Sequence, residues 1–124
     1  MFQFNKSQKL CCKKSISRLF ESGRYIEAHP LKVVWSLDQE KDSGRLKSVI
    51  IVPKKKIKLA ADRNLIKRRI KEGYRIEKNK IDLHLEDKGG HLNLAIIYQY
   101  EEILEYSFLK EKINLILGRL LRDL

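Results

Sequence analysis

The chain has 124 residues, 43% of them hydrophobic, and its 27 Lys+Arg against 16 Asp+Glu leave a formal charge of +11 at pH 7. One domain with one core fits that length; no apolar run approaches the ~20 residues that cross a bilayer, and the first residues lack the apolar stretch and cleavage site of an export signal, so a cytoplasmic protein without a membrane partner is expected. The cationic excess implies a polyanionic partner, and it is concentrated: residues 53–80 hold twelve basic and three acidic groups, against ten and five in residues 1–52 and five and eight in residues 81–124.

In chain order, Ile16, Leu19 and Phe20 recur at helical spacing and predict a helix over residues 13–22, with Gly23 as its stop. After His29-Pro30, the alternation of Leu31, Val33, Trp35 and Leu37 with Lys32, Val34 and Ser36 predicts a strand over residues 31–37. A polar loop leads to a second strand over residues 45–52, whose end is apolar on both faces and is therefore expected near the middle of the sheet, beside an antiparallel neighbour. Pro53 ends that ladder, and a basic helix is predicted over residues 60–76, with Leu59, Ile66, Ile70, Gly73 and Tyr74 along one side. Gly73 costs a helix about 1 kcal/mol relative to alanine, which suggests that another element packs closely there. Residues 77–90 read as a mobile connection closed by Gly89-Gly90, residues 92–98 alternate as a strand, and a last helix begins near residue 102 or 106 with Leu109, Ile113, Ile116, Leu117 and Leu120 as its packed stripe. Helices packed on one small sheet make an α+β sandwich, without repeats or low-complexity linkers.

No protein-borne catalytic set emerges. Cys11 and Cys12 are adjacent, a separation at which a disulfide distorts the backbone, so both are expected as thiols. His29, His84 and His91 stand apart at no metal-ligand spacing, and the acids scatter or gather in the last third of the chain, away from the basic helix. Neither a metal site nor an acid–base pair is expected.

The informative stretch is residues 58–74, in which Arg63, Asn64, Lys67, Arg68, Arg69 and Lys71 crowd one helix with only Asp62 and Glu72 to balance them. Guanidinium forks and ammonium groups on a rigid helix can hold phosphate oxygens at fixed spacing, which suits a folded RNA backbone better than a merely solvated face. Preceded by Lys54-Lys55 at the end of an apolar strand, with Lys9-Leu10, Phe20 and Gly23 upstream, this pattern resembles the ribonuclease P protein family over about residues 8–121. Leu65 stands where the family motif has a second arginine, and Lys71, Pro53 and Ile16 replace its usual arginine, serine and phenylalanine.

The resemblance implies a two-layer α/β sandwich of the ribosomal protein domain 2-like type: a small mixed sheet with helices and a left-handed β-α-β crossover through the basic helix. It also implies a protein subunit that helps a catalytic RNA remove the 5′ leader from precursor tRNA, without protein partners, the chemistry being that of the RNA with Mg2+ held mainly by RNA subunit and substrate. By position, Lys54, Lys55, Arg63, Asn64, Lys67, Arg68, Arg69 and Lys71 would meet the RNA subunit, while a cleft between the first helix and the sheet would use Lys13, Ile16, Phe20 and Trp35 on the leader. From the residues alone, Trp35 on an alternating strand is a core candidate as much as a stacking platform. A structural ribosomal RNA-binding protein is the main alternative; a DNA-binding regulator lacks the preceding helix of a helix-turn-helix, and a membrane-surface helix lacks large apolar anchors.

Overall fold

The computed structural model describes residues 19–21, 23–38 and 46–124. Four strands, β1 (Arg24–Ala28), β2 (Leu31–Asp38), β3 (Leu46–Ile51) and β4 (His91–Tyr98), form one sheet in the order β1-β2-β4-β3. Helix α1 (Ala60–Lys88) joins β3 to β4, and α2 (Tyr106–Asp123) follows β4. Residues 19–21 are helical, and the rest of the predicted first helix lies outside the described residues, as do Cys11 and Cys12. No helix among the described residues is long and apolar enough to cross a membrane.

β1 and β2 make an antiparallel hairpin across His29-Pro30, β2 runs antiparallel to β4 with Val34 opposite Ala95, and β3 runs parallel to β4 with Val49 opposite Ala95. A parallel pair cannot be closed by a tight turn and needs a crossover, which α1 supplies. The expectation of a central β3 with an antiparallel neighbour is thereby corrected: among the described residues β3 is an edge strand, and its one neighbour, β4, is parallel. Its end is apolar on both faces because both faces are covered, Ile50 meeting the main core and Val49 and Ile51 the cluster on the other side. β1 escaped the sequence reading because Arg24, Tyr25 and Glu27 are exposed and only Ile26 and Ala28 are half-buried.

Alternation divides the sheet into two faces. Leu31, Val33 and Trp35 of β2 and Leu92, Leu94, Ile96 and Tyr98 of β4 meet Ile66, Ile70, Tyr74, Ile81 and Leu85 of α1 and the predicted stripe of α2 in the main core. On the opposite face Leu19, Val34 and Ala95 form a smaller cluster, flanked by Val49, Ile51 and Ile97. Gly23 ends the first helical segment in close quarters, since a Cβ there would stand 2.4 Å from the Leu19 carbonyl oxygen and 2.9 Å from Val34 Cγ1. At Gly73 a Cβ would stand 3.0 Å from Ile113 Cδ1, so the glycine lets α2 approach α1 as its place in the helix suggests.

Helix α1 is longer than its sequence implies. Residues 77–88 continue it instead of forming a mobile connection, because Ile81 and Leu85 prolong the buried stripe. Lys78 occupies the stripe position between Tyr74 and Ile81 and hides the periodicity, although the side chain is itself buried. The helix closes at Gly89, whose φ of 76° lies in the left-handed region and whose N–H donates to the Leu85 carbonyl at 2.7 Å. Leu59, expected on the stripe, is 66% exposed because it precedes the helix as its N-cap and does not share the helical rotation.

Leu85→Ala should lower unfolding stability by ~2–5 kcal/mol in urea denaturation, the range for emptying a packed core site; a loss near zero would contradict a packed helix at residues 77–88. Burial holds the Lys78 ammonium below the ordinary lysine value of 10.5, with Asp82 opposing, so the unfolded chain binds the extra proton in the window just under that value and stability gains from this residue as pH rises. Burial raises Tyr74 and Tyr98, which act the other way only above their ordinary value of 10.0. Comparison of urea midpoints at about pH 7 and about pH 9.5 should therefore show a rise for the wild type that Lys78→Met loses; identical pH dependence in both would contradict it.

Candidate nucleic-acid interface

The basic segment begins where β3 ends. Pro53 accepts hydrogen bonds at its carbonyl from the N–H groups of Lys56 and Ile57, both at 3.1 Å, which folds Lys54, Lys55 and Lys56 into an exposed turn at the entrance of α1. Arg63 then reaches back, its Nη1 donating to the carbonyls of Ile57 at 3.0 Å and Lys58 at 2.8 Å. One terminal nitrogen of its fork thus holds the turn against the first helical residues. Arg63 both shapes the entrance and adds charge to it.

Beyond the entrance, Asn64, Lys67, Arg68 and Lys71 follow i, i+3, i+4, i+7 and so share one arc of the helix. All four are exposed. They line a groove with Ser48, Val49 and Ile50 of β3, and among the described residues no carboxylate lines it. Of the cations singled out in the sequence, Lys67, Arg68 and Lys71 are thus brought together beside the edge of the sheet, while Lys54, Lys55 and Arg63 stay at the entrance of the helix.

Arg69 is not part of this arc. A rotation of about 100° per residue turns it to the other side of α1, where it is half-buried and donates from Nη1 to the Leu104 carbonyl at 2.6 Å. It ties the basic helix to the loop before α2. In that loop the Tyr98 hydroxyl donates to the Glu102 carbonyl. Further along α1, Arg75 is paired with Glu72 at 2.6 Å, and this hydrogen bond from Arg75 holds the Glu72 carboxyl below its ordinary range.

The acids are closer to the basic helix than the sequence suggests. Glu101 and Glu102 share a groove with Lys55, Lys56, Lys58 and Asp62 at the start of α1, and Lys56 Nζ lies 3.9 Å from Glu101 Oε1. The expectation that the C-terminal acids lie away from this helix is corrected, because β4 returns the chain to the entrance of α1. Lysines among these carboxylates compensate their charge, a chemistry that does not suit a divalent cation, and no group of three or more His, Cys, Asp or Glu among the described residues is placed to hold a metal ion.

The second expected surface is the sheet face opposite the main core. Lys13 and Ile16 lie outside the described residues. Phe20 is 46% exposed beside buried Leu19, so one expected ring is available on this side. Trp35 is not: it is 3% exposed within the main core, with the Arg24 guanidinium 5.2 Å from its ring centre. The assignment of Trp35 to the cleft is corrected by strand parity, which turns Trp35 with Leu31 and Val33 toward the helices and turns Val34 toward Leu19. Sequence reasoning missed two exposed-face groups. Tyr25 opposite Val34, and Lys32 two residues before Val34, share its face, and Lys32 Nζ stands 4.7 Å from the centre of the Tyr25 ring. The same alternation that predicted β2 could have found Lys32; Tyr25 needed β1.

Comparison with known proteins accords with this geometry. The Ribonuclease P family model matches residues 4–120. The ribonuclease P protein component of Porphyromonas gingivalis is 27% identical over 105 residues, covering 85% of this chain and 77% of the relative. That of Chlorobaculum tepidum is 33% identical over 94 residues, covering 70% of this chain and 61% of the relative. Among solved structures, the RNase P protein of Staphylococcus aureus superposes with a TM-score of 0.71 at 19% identity, covering 92% of this chain and 95% of the other. The RNase P protein of Thermotoga maritima gives 0.70 at 20% identity, covering 90% and 96%. A mixed α+β fold of this type, a basic crossover helix and a family match spanning nearly the whole sequence lead to one conclusion: this chain belongs to the ribonuclease P protein family, as a protein component of that endoribonuclease.

Proposed function

We propose that the chain binds the catalytic RNA of ribonuclease P through the entrance and outer arc of α1, and the 5′ leader of precursor tRNA across the opposite sheet face, in the bacterial cytoplasm. The observation that carries this reading is the arc of Asn64, Lys67, Arg68 and Lys71, exposed beside the edge of β3 in a groove that no carboxylate lines among the described residues. Cations at fixed helical spacing neutralise a folded phosphate backbone and release its counterions. Lys54 and Lys55 extend the field from the exposed turn, Arg63 shapes that turn, and Arg69 positions the helix through the Leu104 carbonyl.

For the leader, Phe20, Tyr25 and Lys32 provide what a single strand needs: exposed rings for base stacking and an ammonium for phosphate. The family pattern also assigns Lys13 and Ile16, which lie outside the described residues, to the leader. The chain's part in leader removal is to bind and orient. The bond to be broken is a phosphodiester; Mg2+, which would supply activation of water for its hydrolysis, would be held mainly by the RNA subunit and substrate, whose phosphate repulsion the protein's cations would reduce.

The double variant Lys67→Ala/Arg68→Ala should bind the catalytic RNA at least about tenfold more weakly, with the slope of log affinity against log salt flattened by about 1 for each phosphate that is no longer neutralised. These positions are exposed, so the fold should persist, whereas Arg63→Ala would also release the turn at residues 57–58. Unchanged affinity and slope in the folded double variant would remove the helix from the interface. Tyr25→Ala/Lys32→Ala should selectively weaken holoenzyme binding of precursor tRNA, by roughly three- to tenfold, and leave mature tRNA unaffected; equal loss for both would take the leader off this face.

A further inference from the structure

The groove between α1 and β3 offers more than phosphate binding requires. Its volume of about 420 Å³ lies within the ~300–1,000 Å³ of sites that enclose small molecules. Lys67, Arg68 and Lys71 supply its positive charge, and Asn64 an amide that both donates and accepts. Because β3 pairs with β4 alone among the described residues, alternate residues along its other edge turn peptide N–H and C=O groups away from that partner. Val49 and Ile50, half-buried, add apolar surface at the same wall.

A flat cationic strip would serve a phosphate backbone. An amide, a peptide edge and an apolar wall gathered under three cations instead match one whole nucleotide: donors and acceptors for the edge of the base, apolar surface for its ring, and charge for the flanking phosphates. We propose that this groove receives one unpaired nucleotide of the catalytic RNA, its base against the β3 edge and Asn64, and its phosphates on Lys67, Arg68 and Lys71. This rests on the assignment of α1 to the RNA-subunit interface. Extraction of a paired base sacrifices its stacking and pairing, so the occupant is a bulged or loop residue that is already unstacked.

Asn64 separates the two kinds of contact, because Asn64→Ala removes base hydrogen bonds without removing charge. Full-length wild type, Asn64→Ala and Lys67→Ala are titrated with the cognate catalytic RNA across a series of salt concentrations, their folding checked by circular dichroism. A photo-crosslinker placed at Lys71 identifies the RNA residue reached, with precursor tRNA present. The proposal expects Asn64→Ala to lose about tenfold in affinity with an unchanged salt slope, Lys67→Ala to flatten the slope by about 1, and the crosslink to fall on one unpaired nucleotide of the catalytic RNA. Wild-type affinity for Asn64→Ala beside a flattened slope for Lys67→Ala would overturn the nucleotide pocket and leave the helix interface standing. No change in either variant would overturn both. A flattened slope for Asn64→Ala, or crosslinks confined to paired RNA or to precursor tRNA, would also overturn the pocket.

Discussion

Parallel pairing of β3 with β4 is the constraint from which the rest of the structure follows. Two parallel neighbours begin at the same end of a sheet, so the chain must travel back along the sheet between them. Here the return is α1, whose 29 residues run alongside the two strands it connects. Its inner stripe is committed to the main core with α2, which fixes the rotation of the helix. That rotation decides where every cation on α1 points. Asn64, Lys67, Arg68 and Lys71 come to the open side of β3 because Ile66, Ile70 and Tyr74 are held under the sheet.

A high local charge count therefore conceals a division of labour. Arg63 commits one nitrogen to the carbonyls at the entrance, Arg69 is anchored to the loop before α2, Arg75 is paired with Glu72, and Lys78 is buried. Such groups can give the helix a fixed position and shape without meeting a ligand. Exposed surface ion pairs contribute little stability on their own, generally ~0–1 kcal/mol, so the packed stripe, not the charge, holds α1 in place. Among the described residues the groove along the outer arc is lined by cations and by no carboxylate, and a polyanion is the partner it suits.

Much of the fold was legible because period and burial agree. β2 and β4 alternate cleanly, and α2 repeats its apolar residues at helical spacing, so their existence and inner faces follow from the sequence. The failures share a physical cause: a residue whose chemistry contradicts its position. Lys78 in a buried stripe ended the predicted helix too early, and charged or exposed residues along β1 concealed a strand that pairing alone defines. β3 seemed central since it is apolar on both faces, yet coverage by packed elements produces the same pattern at a sheet edge. The site was legible in its residue types and less so in their roles. Trp35 shares its strand with Val34, one residue away, and that single step in register separates the core from the opposite face.

On the function proposed above, a basic crossover helix makes this chain a working subunit of an RNA enzyme. The most direct test of this is cleavage of 5′-labelled precursor tRNA by the cognate catalytic RNA at low Mg2+, with and without the protein. Strong stimulation with the cut at the correct 5′ end is expected, because cations on the protein replace part of the screening that Mg2+ otherwise supplies. Tight binding to the RNA without stimulation of cleavage would contradict it.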